Sequence, residues 1–209
     1  MTSLESKGKA LKSYLSQGEK FSVVQAFQII KQVLFAVKEV HEAGFLHLDI
    51  QDGNVFIKGS LSEEDKLVSL VDFGAARPVC EDGLCPAIRD RALFSTIGFE
   101  SPEIVGRNDG TLRLGAESDL YSVGYLLLLM LTGKRYTQRE LDSANIGLYL
   151  SKRKLKKLNC PAHMADKVHQ IISKALKKTP EDRYHSCEEM LADVSDLIHA
   201  LQPYKSDLS

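Results

Sequence analysis

Asp49, Asn54 and Asp72 are the residues of this chain whose types and spacing could do chemistry. The first two lie in the run His47-Leu48-Asp49-Ile50-Gln51-Asp52-Gly53-Asn54. The third opens Asp72-Phe73-Gly74, directly after an apolar, β-prone stretch. A carboxylate such as Asp49 can receive or orient the proton of an accepting hydroxyl. An amide oxygen (Asn54) and a second carboxylate (Asp72) can hold the metal ions that neutralise phosphates. Together these groups are what phosphoryl transfer from a magnesium nucleotide requires. Either motif alone is a common turn or cap, so the inference rests on finding both, in order.

For that chemistry Asn54 and Asp72 must be brought side by side. Val55-Phe56-Ile57 and Leu67-Val68-Ser69-Leu70-Val71 read as two strands of a hairpin, with Asn54 at its entrance and Asp72 at its exit. Ahead of the loop, Ser22-Val23-Val24-Gln25 is a capping-box pattern. Val23, Phe27, Ile30, Leu34, Val37 and His41 then follow at helical spacing, up to a glycine stop at Gly44.

From Ala75 to about Ser101 no period is visible, and a loop of that length is usually functional. Ser118 to Leu131 is apolar nearly all round and predicts a central helix, capped by Ser118 or Asp119 and closed by Gly133. Thr137 to Leu158 predicts one or two helices. A further helix should start at Pro161, and a last one is opened by Ser186-Cys187-Glu188-Glu189 and ends near Leu201. The fold class expected is α+β, mostly helical, with a short β-hairpin at the catalytic edge.

A composition of 44% hydrophobic and 26% charged residues is that of an ordinary globular domain. A net charge of -1 gives no global field for nucleic acid or membrane, and neither is expected as a partner. The longest apolar run, Leu126 to Leu131, is far too short for a membrane span. The start of the chain has no apolar core for a signal peptide. Cys80, Cys85, Cys160 and Cys187 are too few and too scattered for a disulfide scaffold, which suggests reduced thiols in a cytoplasmic setting. Cys80 and Cys85 flank an acidic turn and read as two free thiols in preference to a redox pair. The cluster Lys152 to Lys157 reads as a solvated helix face.

The two motifs resemble the catalytic loop H-x-D-x-x-x-x-N and the metal loop D-F-G of the eukaryotic-type protein kinase family. Three further segments are similar. Thr96-Ile97-Gly98-Phe99-Glu100-Ser101-Pro102-Glu103 looks like T-x-x-Y-x-A-P-E. Asp119-Leu120-Tyr121-Ser122-Val123-Gly124 looks like D-x-W-S-x-G, and Pro180 to Arg183 looks like the arginine-bearing turn before the last helix.

The resemblance implies ATP and Mg2+ as cofactors and a protein substrate with a Ser or Thr acceptor. Asp49 would be the base, and Gln51 would stand where a Lys meets the transferred phosphate. Thr96 would shape a Ser/Thr acceptor site. Asn54 and Asp72 would hold metal, and Phe56 would floor the adenine site. Structural roles would fall to a His47–Phe73 contact, Gly74, a buried Glu103–Arg183 ion pair, and Asp119 gripping the backbone of the His47 loop.

The sequence also departs from the family pattern. It contains no G-x-G-x-x-G loop and no V-A-I-K-like strand, so residues 1–209 are expected to form a C-terminal lobe. The activation segment would be 72–103. An N-terminal lobe would be trimmed, lost or supplied by a partner chain, and an apolar docking face would favour self-association. Leu48 replaces the Arg that reads a phosphorylated activation loop, and Gln51 replaces the Lys. Losing the glycine-rich lid, the strand Lys and the Lys replaced by Gln51, together worth roughly 4 kcal/mol, slows transfer about a thousandfold, so activity of the chain alone is expected to be weak or absent. The alternatives are a non-catalytic, pseudokinase-like binding module and a small-molecule phosphotransferase of the aminoglycoside-kinase type. The Pro102-Glu103, Asp119 and Arg183 set argues against the latter.

Overall fold

The loop 47–54 hangs between a long helix and a small sheet, and both follow from local sequence signals. The structure is a computed structural model describing residues 8–61, 66–85, 99–106, 114–143 and 146–202. Strand β1 (Lys9–Ala10) leads into helix α1 (Leu11–Ser16), and helix α2 spans Val23–Glu42. Ser22 and Gln25 form a complete capping box: the Ser hydroxyl accepts the Gln25 N–H, and the Gln side chain accepts the Ser22 N–H. Gly44, at φ 81, turns the chain out of the helix, a conformation that favours glycine. The buried face of α2 is wider than the expected stripe, because Ala26, Ile29 and Val33 are buried as well.

Strands β2 (Phe45–Leu46), β3 (Val55–Lys58), β4 (Leu67–Leu70) and β5 (Arg77–Pro78) follow. The expected hairpin is present, with β3 and β4 antiparallel and Val55 opposite Leu70. It carries a third strand that the sequence did not announce, since β1 pairs with β3. The stretch after Ala75 is also less irregular than expected, because β5 pairs with β2. Two-residue strands show no period in a sequence, which is why both were missed.

Helices α3 (Pro102–Gly106) and α4 (Ala116–Thr132) come next. Every residue of α4 from Ser118 to Leu131 is buried, with α2 and α8 (Ala165–Ala175) packed against it. Its expected cap is corrected: the N-cap is Gly115, and Ser118 and Asp119 lie inside the helix. Both side chains are used elsewhere, Ser118 on Glu103 and Asp119 on the catalytic loop. The closing residue is Gly133, at φ 67, as expected.

The described residues of 137–158 form three short helices in place of one or two: α5 (Gln138–Ser143), α6 (Ile146–Tyr149) and α7 (Lys152–Lys157). Pro161 caps a 3-10 turn, Ala162–Met164, before α8 begins. Helix α9 (Cys187–Leu201) is capped by Ser186, as expected. The basic cluster is α7 itself. Lys152 pairs with Asp166, Lys154 donates to the Thr132 carbonyl, and Leu155 is buried. No helix among the described residues is long and apolar enough to cross a membrane.

Candidate active site

The hairpin delivers the two proposed metal ligands to one place. The Val71 N–H donates to the Asn54 carbonyl at 2.9 Å, so Asp72 emerges beside Asn54. Asn54 Nδ2 donates to the Asp49 carbonyl at 2.9 Å and to Asp49 Oδ2 at 2.7 Å. With its nitrogen committed, the amide offers its oxygen to a cation. Asp72 is exposed, and one of its oxygens accepts the Gly74 N–H at 3.2 Å. Its φ of 68 is left-handed, a region that Asp tolerates better than most non-glycine residues.

Asp49 is half-buried. Desolvation raises its pKa above the usual carboxylate value, against the lowering effect of hydrogen bonds from Asn54 and Gln51. A carboxylate tuned upward is better suited to take a proton near neutral pH. Gln51 Nε2 donates to Asp49 Oδ1 at 2.7 Å, so this side chain is engaged with the proposed base.

The loop is held from below. Asp119, fully buried, accepts the backbone N–H groups of His47 and Leu48, each at 2.8 Å. Leu48 is itself left-handed, at φ 61. The grip of Asp119 offsets a strain of order 1–3 kcal/mol at that residue. His41 Nε2 also bonds Asp119, at 2.8 Å, and Cys187 Sγ lies 3.7 Å from His41 Nδ1. Burial pushes the Cys187 thiol up to about 12, so it stays protonated beside the imidazole. Neither His41 nor Cys187 carried a sequence signal for this role: one continues an apolar face and the other follows a cap.

His47 is buried, and desolvation lowers its pKa. Its neutral ring accepts the Asp49 N–H at Nδ1, 3.3 Å away, and stacks on Phe73 with ring centroids 4.9 Å apart. Phe56 is half-buried in β3. Strand alternation puts it on the face opposite buried Val55 and Ile57, between Ala10 and Ser69. Phe73 and Phe45 remain largely exposed. With Glu39, Val40, Ala43 and Ala76 they line a cavity of about 450 Å³.

Behind the site, Arg183 is engaged in two parallel bonds with Glu103, at 2.8 and 2.7 Å. It also donates to the carbonyls of Lys177, Lys178 and Glu117. Burial alone would raise the Glu103 carboxyl, but the Arg183 hydrogen bonds and charge outweigh it and hold the pKa below the usual value. The Asp119 to Gly124 motif gains a second physical reason at its glycine, because a Cβ on Gly124 would overlap that of Ala175.

A salt bridge that the sequence did not suggest links Asp52, buried in the catalytic loop, to Arg135. Thr96 lies outside the described residues, as does the stretch 86–98 of the expected activation segment. Neither Cys80 nor Cys85 is joined in a disulfide.

These residues fit magnesium in a particular way. Among the described residues no three His, Cys, Asp or Glu side chains gather at metal spacing. Two oxygen ligands, Asn54 and Asp72, suit Mg2+, which takes one or two protein ligands and completes its shell with phosphates and water.

The family described as "Protein kinase domain" matches residues 3–194. The chain is 26% identical over 188 residues to the "Probable serine/threonine-protein kinase PknB" of Lactococcus lactis, covering 90% of this chain and 28% of that protein. It is 28% identical over 180 residues to the serine/threonine-protein kinase PLK4 of Nematostella vectensis, covering 86% of this chain and 17% of that protein. Among solved structures, the kinase domain of Mycobacterium tuberculosis PknI aligns with a TM-score of 0.62 and 18% identity. That alignment covers 91% of this chain and 62% of the PknI chain, and it shows the same fold. The chain thus spans only about a quarter or less of the curated relatives' length.

Proposed function

The chain belongs to the protein kinase domain family, and from that premise we propose that it is the catalytic C-terminal lobe of a serine/threonine protein kinase. The observation that carries the reading is the Asp49–Asn54–Asp72 constellation, with the base bonded to one metal ligand and the backbone tying the other beside it. The family generally uses ATP and Mg2+. Asn54 and Asp72 would hold the magnesium, which would supply positive charge to neutralise the phosphate oxygens. Asp49 would accept the hydroxyl proton at the carboxylate oxygens that Asn54 and Gln51 now orient. Phe56 offers an apolar face to the base of the nucleotide. His47, Phe73 and Asp119 keep the loop from relaxing.

Protein acceptors are favoured over small molecules by Glu103 and Arg183, which anchor the segment after Thr96 as a platform. We place Thr96 beside the acceptor hydroxyl and the protein in the cytoplasm, the latter on four free cysteines. The exposed edge at Phe45 and Phe73 is proposed to receive the glycine-rich, lysine-bearing N-terminal lobe, in the same chain or another. Without those contacts, transfer by these residues alone is slow.

A non-catalytic binding module is the second reading, favoured by Leu48 and by Gln51. Labelled phosphate transfer from Mg-ATP to a mixed Ser/Thr protein acceptor tests the choice. Slow transfer to Ser and Thr that disappears in Asp49→Ala supports the enzyme. Transfer absent, or indifferent to that change, supports the binding module.

A further inference from the structure

Arg135 lies after α4, outside every motif considered so far, yet it touches both halves of the site. Its Nη2 donates to Asp52 Oδ1 and to Asp52 Oδ2, each at 2.8 Å. Asp52 sits three residues after the base, and its side chain is 3% exposed. The carbon of the same guanidinium lies over the ring of Phe99, 5.2 Å from the centroid. Phe99 is buried at the head of the platform segment that runs on to Glu103.

Each end of this contact is itself fixed. Phe99 packs edge-on against Tyr125 at 4.9 Å, and its carbonyl accepts the Ser122 hydroxyl at 2.7 Å. The Tyr125 hydroxyl donates to the Tyr136 carbonyl at 2.9 Å and accepts the Tyr136 N–H at 2.8 Å, pinning the backbone next to Arg135. On the loop side, the Asp52 carbonyl accepts the Lys12 N–H at 2.9 Å.

We propose that Arg135 is a positioning residue that braces the catalytic loop to the acceptor platform, holding Asp49 in register with the hydroxyl to be phosphorylated. The proposal rests on the reading of 99–103 as that platform. The chemistry suits arginine in particular. A planar guanidinium can offer N–H groups to a carboxylate along its edge while its face lies on an aromatic ring. A lysine can meet the carboxylate but has no second face. The buried Asp52 carboxylate gives the brace its strength, because an unpaired charge there is costly. Asp52 and Phe99 are thereby coupled through one side chain that is itself about half exposed and free to be exchanged by mutation.

The test is amide hydrogen exchange on the full chain, followed at Ile50 to Asn54 and at Phe99 to Ser101. It needs no catalytic activity, so failure of the kinase reading would not be mistaken for failure of the brace. Asp52→Asn is informative because Asp52 bonds Arg135 and not Phe99. The brace predicts that exchange at Phe99 to Ser101 rises about tenfold or more in Asp52→Asn as well as in Arg135→Ala. In Arg135→Lys the loop should stay protected while the platform does not. Should Arg135→Ala fail to fold, the other two variants still decide. Where transfer is measurable, Asp52→Asn should raise the acceptor KM about tenfold and leave Mg-ATP affinity within about twofold. Exchange that changes only at Ile50 to Asn54 in Asp52→Asn would overturn the brace, leaving Arg135 as a local counter-ion.

Discussion

Removal of the guanidinium at Arg183 tests most sharply how the platform is held. Its side chain is wholly buried and its partner Glu103 is 11% exposed, so this pair is shielded from solvent. Arg183→Ala strands the Glu103 carboxylate and withdraws a donor from the carbonyls of Lys177, Lys178 and Glu117. Breaking a buried pair from one side costs about 3–5 kcal/mol. With a urea slope of roughly 2 kcal/mol per M, the unfolding midpoint should fall by about 1.5–2.5 M. Glu103→Leu with Arg183→Met should recover part of the loss, since no unpaired charge remains, but not all of it, since the carbonyls still lose their donor.

The pH dependence has a definite sign. The folded pKa of Glu103 is depressed, so its contribution is present above the ordinary glutamate range and is lost as pH falls through the folded value. The stability gap between the native chain and Arg183→Ala should therefore narrow in acid. Circular dichroism across urea at several pH values measures both effects. A midpoint drop below about 0.5 M, the behaviour of a surface pair, would refute the reasoning.

Three further outcomes are expected. Asp119→Asn keeps one acceptor and loses the other, leaving a buried N–H of the His47–Leu48 pair without a partner. That costs about 1–3 kcal/mol and should accelerate exchange at those two amides while α8 stays protected. Gln51→Leu removes a hydrogen bond that lowers the Asp49 pKa, so the acidic limb of any transfer profile should move to higher pH. An unmoved limb would remove Asp49 from the role of base. Gly124→Ala should destabilise by about 1–3 kcal/mol through overlap with Ala175, read as a lower melting temperature, and Ala175→Gly should relieve it.

Much of this arrangement could be read from the chain before any coordinates. Capping boxes, glycine stops and a helix buried on every side are local signals, and α2, α4 and α9 follow them closely. The hairpin was legible because two β-prone runs flanked one polar turn. The Glu103–Arg183 partnership came from family resemblance alone, since no spacing rule links residues 80 positions apart. What stayed hidden was long-range and specific to this chain. The Arg135–Asp52 bridge joins residues 83 positions apart, and Cys187 meets His41 across 146. Such pairs are fixed by how α4 and α9 pack, and their members look like ordinary surface or core residues in the sequence. The cap of α4 was misread for a related reason. Ser118 and Asp119 are good capping types, but tertiary partners claim both side chains.

The central claim is that Asn54 and Asp72 form the metal-binding floor of a nucleotide site. Calorimetric titration of the chain with ATP, with and without magnesium and with Asp72→Ala as control, tests it most directly. The account predicts binding that needs both the metal and Asp72. No heat at millimolar nucleotide, or binding that persists unchanged in Asp72→Ala, would contradict it.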